Sequence, residues 1–419
     1  MHFINKLSET PPSKNEQGSL ANWHVAVKDN ICTKGFPTTC GSKMMGEYMS
    51  PFNAAVTDRL EQAGAVITGK TNMDEFAMGC TSESSFYGPV KNPTNEAYAA
   101  GGSSSGSAAA VAAGEARAAL GSDTGGSIRT PAAYCGVAGF KPGYGVVPRY
   151  GLVACASSMD QIGPIARNVE DCAAVMQAIA GPDSADTMML EHKPDFTLDK
   201  NITGKRIALI KECFDERVSP DVKAQVLAAA EVLRGLGAEI EEISLPLFDY
   251  AMPVYQILCC AEASSNLARF DGVKLGYRAE GIENVNDMYC KSRGEGFGEE
   301  VIKRILMGTY VLSSDCYDIY YKKAMQVRAL IKAELDKALE TYDALLTPTT
   351  PYTAPKLGES KAVNADIFTC PANLAGLPAL SIPCGVDAND MPVGLQLIGA
   401  HGNDAAVLNL GYAFEGGTV

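Results

Sequence analysis

Histidine is scarce in this chain, four in 419 residues, and none of His2, His24, His192 and His401 neighbours a serine-rich segment. A Ser-His-Asp triad can therefore arise only through long-range contact. Long apolar runs are also missing: the longest alanine-valine stretch, Ala108–Ala119, is broken by Glu115 and Arg117, too short and too charged to span a bilayer. No membrane partner is expected. The polar N-terminus has no apolar run after its basic residue, so it does not read as a secretory leader, and a cytoplasmic location is the default expectation. Positive charge is in deficit, with a formal net charge of −14, which weighs against a dominant nucleic-acid surface because phosphate binding relies on clustered Lys and Arg. The 13 cysteines include neither a C-x-x-C pair nor a histidine at zinc-ligand spacing, and they read as reduced core thiols. No Gly-Lys-Ser/Thr of a phosphate-binding loop is read in the chain, since the glycine-rich stretch Gly101–Ser107 lacks the lysine. No metal or nucleotide site is expected on this chain.

What is present is the make-up of a layered α/β protein. The hydrophobic content of 46% is ordinary for a packed core. Helical periodicity over Asn53–Ala65 runs into a strand-like Val66–Lys70, a passage typical of α/β folds. Lys205–Ile210 reads as a strand, Ser219–Leu236 as an amphipathic helix opened by Ser219-Pro220, and Ala238–Leu245 as a strand after Gly235 and Gly237. Gly181–Lys200, with Pro182, Pro194 and few apolar anchors, reads as a surface excursion between two halves. Helices are expected from Ala251 to Thr341, strands at Ala344–Pro351 and Val393–Gly399, and a closing helix at Asp404–Phe414.

Two glycine-serine loops, Gly101-Gly-Ser-Ser-Ser-Gly-Ser107 and Asp123-Thr-Gly-Gly-Ser-Ile-Arg129, flank an alanine-rich helix and can converge on one substrate, because glycine lets the backbone approach a reacting atom closely. Gly102–Gly106 formally matches G-x-S-x-G, but the preceding Asn95–Ala100 is not strand-like, and taken alone these residues read rather as a flexible loop capping a helix. A serine hydrolase without histidine needs another base, and a desolvated lysine can serve. Lys28 is the candidate, at the end of the apolar run Val25-Ala26-Val27. Taken alone it reads as a strand-end lysine facing solvent.

Val27-Lys28-Asp-Asn-Ile31, Gly101–Ser107 and Gly121-Ser-Asp-Thr-Gly-Gly-Ser-Ile-Arg129 together resemble the amidase-signature hydrolases. The likeness continues through Pro131–Gly136, Gly139-Phe-Lys-Pro142, Gly145–Leu152 and Ser157-Ser-Met-Asp-Gln-Ile-Gly-Pro164. It implies an α/β fold with a central mixed β-sheet covered by helices on both faces, in a single domain over 19–419 whose signature core spans about 25–175 and whose helical pocket region spans about 250–340. Residues 1–18 are expected to be a mobile N-terminus, where the family usually carries some fifty or more mostly helical residues ahead of its lysine. The resemblance assigns Ser127 as nucleophile, Ser103 as the serine after a cis peptide that relays the proton, and Lys28 as base. It places the backbone N–H groups of Thr124, Gly125, Gly126 and Ser127 around the oxyanion, with Ser104 and Asp123 orienting hydroxyls and loop. Arg129 is expected to anchor Asp123 or a backbone carbonyl. The family more often has glycine at Ser105, which is comfortable there only with negative φ.

Glu262–Gly272, Ser292-Arg293 with Gly296-Phe-Gly298, Arg304–Tyr310, Tyr317–Lys323 and Pro371–Pro378 resemble the glutamine-hydrolysing subunits of tRNA-dependent amidotransferases. That likeness implies glutaminase activity, with Arg304 taking the substrate carboxylate, Asp366 its ammonium, Tyr255 lining the pocket and Met78–Ser82 forming a wall. Without it, Arg304 reads as a helix-face ion pair with Glu300. It also implies a B subunit that binds misacylated tRNA and uses ATP and magnesium, a small C-type subunit, and no cofactor on this chain. A stand-alone amidase for small or aryl amides, and an inactive scaffold, are the competing readings.

Overall fold

The computed structural model describes residues 1–8, 11–359 and 365–417. Eleven strands among these residues form one mixed sheet. In chain order they are β1 (Phe3–Lys6), β2 (His24–Lys28), β3 (Val66–Thr71), β4 (Ala118–Asp123), β5 (Ala138–Lys141), β6 (Gln161–Ala166), β7 (Arg206–Ile210), β8 (Glu239–Ile243), β9 (Ala344–Pro348), β10 (Ala379–Val386) and β11 (Pro392–Ile398). Across the sheet the order is β1-β3-β2-β4-β6-β5-β10-β11-β9-β7-β8. β2 lies parallel to both β3 and β4, and β7 parallel to both β8 and β9, while the strands between are antiparallel.

Alternation along the strands sorts the two covering layers. Val25 and Val27 of β2 and Ala118 and Leu120 of β4 join the large core, whereas Ala26 and Ala119 face a smaller layer with Ala108–Ala110 and Ala132. Successive side chains of a strand point to opposite faces, and alanine on both partners brings the helices Ser105–Ala112 and Arg129–Cys135 close to the sheet. This close approach sets the two glycine-serine loops against the ends of β2 and β4.

The alanine-rich stretch is not one helix. It ends at Ala112, Gly114 turns at φ +73°, and Ala118–Asp123 enters the sheet as β4. The second glycine-serine loop therefore follows a strand, so its residues leave from a carboxyl-terminal strand edge, where open α/β sheets place ligands. The N-terminus also departs from expectation. Phe3–Lys6 pairs antiparallel with β3, Phe3 is buried, and the His2 imidazole and Lys6 ammonium both meet Glu115 at 3.0 Å. Residues 1–8 are thus an edge strand with its flanks, held because β3 has an open edge to pair; Glu9 and Thr10 lie outside the described residues.

Gly64-Ala-Val-Ile-Thr-Gly-Lys-Thr71 carries the glycine-lysine-threonine spacing of a phosphate loop, contrary to the expectation that the chain has none. Its second half is strand β3, and Lys70 is buried, donating to the Ile31 carbonyl at 2.6 Å and Thr38 Oγ1 at 3.1 Å, with Asp29 at 3.5 Å. A lysine held this way cannot reach a phosphate. No helix among the described residues is long and apolar enough to cross a membrane.

Candidate active site

β2 ends on Lys28 and its parallel neighbour β4 ends on Ser122-Asp123, in the register Val27↔Leu120. Lys28 is fully buried, and its Nζ donates to Ser103 Oγ at 2.7 Å, Ser122 Oγ at 2.9 Å and the Ser122 carbonyl at 3.1 Å. Three acceptors match the three protons of an ammonium. Burial nevertheless pulls its pKa down to about 7, since the nearby carboxylates of Asp74 and Asp123 offset only part of the cost of desolvating the charge. The solvent-facing reading of this strand end does not hold, and burial favours the neutral form of the lysine.

The Gly102–Ser103 peptide is cis. Ser104 N–H donates to the Ser127 carbonyl at 3.0 Å, and Ser104 Oγ donates to the Ser122 carbonyl at 3.1 Å, so the two loops are tied together and to β4. Ser127 is 4% exposed. Ser105 opens the helix Ser105–Ala112, outside the positive-φ residues, which explains why a side chain is accepted there.

Glycine at 125 and 126 is required by what stands against the loop. A Cβ on Gly125 would come within 2.5 Å of the Tyr255 ring, and one on Gly126, at φ +152°, within 2.2 Å of Thr369 Oγ1 and 2.6 Å of Asp366 Oδ1. The backbone of the candidate oxyanion loop thus touches two residues assigned to substrate. Thr369 Oγ1 also donates to the Gly125 carbonyl at 2.6 Å.

Arg129 anchors this loop from beneath. It is fully buried and directs five N–H donors at Asp123 Oδ2 (3.0 Å), Asp123 Oδ1 (2.9 Å), Asn373 Oδ1 (2.6 Å), the Thr369 carbonyl (2.9 Å) and Gln396 Oε1 (2.7 Å). Burial alone would raise the Asp123 pKa; Arg129, with Lys141 and Asn373, instead holds it down at about 2. Replacing Arg129 with methionine leaves a buried carboxylate unpaired, at a cost of about 3–5 kcal/mol. A chemical-denaturation midpoint unchanged from wild type would contradict this.

A cavity of about 460 Å³ adjoins the loop, bordered by Asp74, Met78, Tyr255, Glu300, Arg304 and Asp366. Met78, Gly79, Cys80 and Thr81 form part of its wall, as expected, while Ser82 turns away to give its N–H to Asp74. Arg304 Nε donates to Glu300 Oε1 at 2.8 Å, so the helix-face ion pair is present, and both residues line the cavity. Asp366 accepts from Thr130 Oγ1 at 2.7 Å, yet burial pushes its pKa up to about 7.

Ser122 and Asp74 escaped the sequence reading. Ser122 stands beside Asp123 in a motif already singled out, but its contact with Lys28 needs the pairing of β2 with β4. Asp74 lies far from either loop and reaches the site only because its chain folds under Gly102, where an added Cβ would meet Asp74 Oδ2 at 1.9 Å. Among the described residues no group of His, Cys, Asp and Glu could hold a metal ion.

A family model described as Amidase matches residues 5–408. The A subunit of the glutamyl-tRNA(Gln) amidotransferase of Lachnospira eligens is 53% identical over 406 residues, covering 95% of this chain and 84% of that protein. Its counterpart in Halothermothrix orenii is 51% identical over 407 residues, covering 96% and 85%. The crystal structure of the Thermotoga maritima counterpart superposes with a TM-score of 0.85 at 42% identity, covering 99% of this chain and 87% of that one.

Proposed function

Because the chain belongs to the amidase family, we propose that it is the glutaminase subunit of a tRNA-dependent amidotransferase, acting through Lys28, Ser103 and Ser127. The observation that carries the substrate assignment is the cavity itself: its charged lining includes the Arg304 guanidinium, paired with Glu300, and the Asp366 carboxylate, set against Gly126 of the loop that bears Ser127. A free amino acid brings the complementary carboxylate and ammonium, and burying either unpaired is costly.

Neutral Lys28 accepts the proton of Ser103 Oγ, which accepts that of Ser127 Oγ as this oxygen attacks the carboxamide carbon of glutamine. The tetrahedral oxyanion is held by backbone N–H groups of Thr124, Gly125, Gly126 and Ser127, each such donor being worth about 3–4 kcal/mol in other enzymes. The relay returns a proton to nitrogen as the C–N bond breaks, ammonia leaves, and water releases glutamate from Ser127. Ammonia then passes to a B subunit, which binds Glu-tRNA(Gln) or Asp-tRNA(Asn) and uses ATP and magnesium there; a small C-type subunit completes the complex. The acidity of this chain suits a subunit that does not itself hold tRNA.

Glutamine hydrolysis with and without the B subunit tests the reading. Hydrolysis of apolar amides with none of glutamine would overturn it in favour of a stand-alone amidase. Arg304→Gln and Asp366→Asn are each expected to lower kcat/KM for glutamine by roughly 30- to 1000-fold, the equivalent of about 2–4 kcal/mol for an unpaired charge. Turnover of a neutral amide should change far less. Equal losses on both substrates would make these residues structural.

A further inference from the structure

The Ser157–Pro164 stretch takes no part in the steps above, yet one of its carboxylates is built against the loop that does. Asp160 is 3% exposed. Its Oδ1 accepts the Thr124 hydroxyl at 2.7 Å, and its Oδ2 accepts the backbone N–H groups of Cys155 at 2.8 Å and Ala156 at 3.0 Å. Three neutral donors therefore hold a buried carboxylate, and one of them belongs to the first residue of the candidate oxyanion loop.

The other end of the same segment is clamped to a helix. Ser158 donates its N–H to Glu262 at 2.9 Å and its hydroxyl at 2.5 Å, and Arg328 donates to Ser158 Oγ at 2.8 Å and to its carbonyl at 3.0 Å. Glu262 stands on the helix Ala251–Asn266, whose Tyr255 ring backs Gly125. Thr124 and Gly125 are consequently gripped by two parts of one rigid frame, the carboxylate on one residue and the ring on the next.

We propose that Asp160 is a positioning residue for amide hydrolysis: through the Thr124 hydroxyl it fixes the backbone of residues 124–127 so that their N–H groups converge on the oxyanion formed at Ser127. This rests on the reading of Ser127 as nucleophile. Oxyanion donors act only within a narrow range of distance and direction, and a loop with two consecutive glycines has no side-chain restraint of its own between Thr124 and Ser127. Burial raises the Asp160 pKa to about 6, which leaves the carboxylate largely ionised, and a strong acceptor, at neutral pH. If Asp160 served only to close its own turn, the bonds from Cys155 and Ala156 would suffice and the Thr124 bond would be incidental.

Thr124→Val separates the two cases, because it removes only the hydroxyl and leaves the turn intact. The assembled enzyme carrying Thr124→Val, Thr124→Ser or Asp160→Asn is assayed for kcat and KM with glutamine, for melting temperature, and for the rate at which a fluorophosphonate modifies Ser127. Thr124→Val is expected to lose about 10- to 100-fold in kcat with KM within about twofold, as a displaced catalytic group does, and to slow the labelling in parallel. Thr124→Ser should restore most of both rates, and Asp160→Asn combined with Thr124→Val should be no slower than Asp160→Asn alone. Wild-type kcat and labelling rate in Thr124→Val would overturn the inference. A wild-type enzyme that takes up the label but leaves glutamine intact would count against the glutaminase reading, while the labelling rates of the variants still decide the role of Asp160.

Discussion

Ser127→Ala is expected to abolish ammonia release from glutamine, with a loss of about 10⁴-fold or more, the scale seen when the nucleophile of a covalent mechanism is removed. The variant should fold and assemble normally. What Ser127 gives to the structure is its backbone, since its carbonyl accepts the Ser104 N–H that ties the two glycine-serine loops, and alanine keeps that bond. Ammonia release by the complex, fluorophosphonate labelling and melting temperature together check the expectation: wild type labels and the variant does not, at the same melting temperature. Ammonia release near the wild-type rate would remove Ser127 from the mechanism, and failure of wild type to label would favour an inactive scaffold.

Lys28→Met should cost about 10³-fold or more in kcat, in the upper part of the range for loss of a general base. Lys28→Arg is the more telling variant, because a guanidinium keeps its proton throughout the accessible pH range. If the site needed only a positive charge, arginine would restore activity; if it needs a neutral base, arginine should be as inactive as methionine. The pH profile gives an independent reading. With the Lys28 pKa near 7, the neutral, active fraction grows with pH, so wild-type kcat should rise through about pH 7 and then level off. Asp366, whose pKa burial also raises to about 7, must be ionised to meet the substrate ammonium, so KM should fall over the same interval. Once glutamine is bound that carboxylate is held ionised, and the limb in kcat belongs to Lys28.

Stability carries the same sign. The folded Lys28 pKa lies below the ordinary lysine value of 10.5, so between about 7 and 10.5 the unfolded chain binds more protons and stability rises with pH. Lys141 is displaced in the same direction, to about 7, by burial and by Arg129. The contribution of Lys28 is therefore the difference in slope between wild type and Lys28→Met in denaturation midpoints taken across that window, and equal slopes would contradict its depressed pKa.

Local chemistry made much of this protein readable in one dimension. The two glycine-serine loops, the lone lysine closing an apolar strand and the Pro220 start of the helix Pro220–Gly235 are each decided within a few residues. Arg129 as an anchor was also legible, since a cation six residues from Asp123 across one glycine-rich loop has an obvious partner. Where the reading failed, a neighbour far along the chain was the cause. The alanine run splits because β2 and β6 offer β4 a place between them, and the N-terminus becomes a strand because β3 has a free edge. The Gly-Lys-Thr of Gly69–Thr71 is inert because Asp29 and Thr38 close over its lysine.

The sequence by itself determined the reaction class and the residues able to carry it: two serines, a lysine and the glycines that let a backbone crowd a carbonyl. Only the tertiary structure decided that these residues meet and that the lysine is taken out of water. A lysine at the end of a strand is an ordinary cation in water. It becomes a base near pH 7 when β4 and the Gly102–Ser104 turn exclude solvent around it, against the opposing pull of the Asp74 carboxylate. Likewise Arg304, Asp366, Tyr255 and Asp160 acquire meaning from the one loop they surround. Desolvation and contact are set by segments distant in sequence, which is why they could not be read from any one of them.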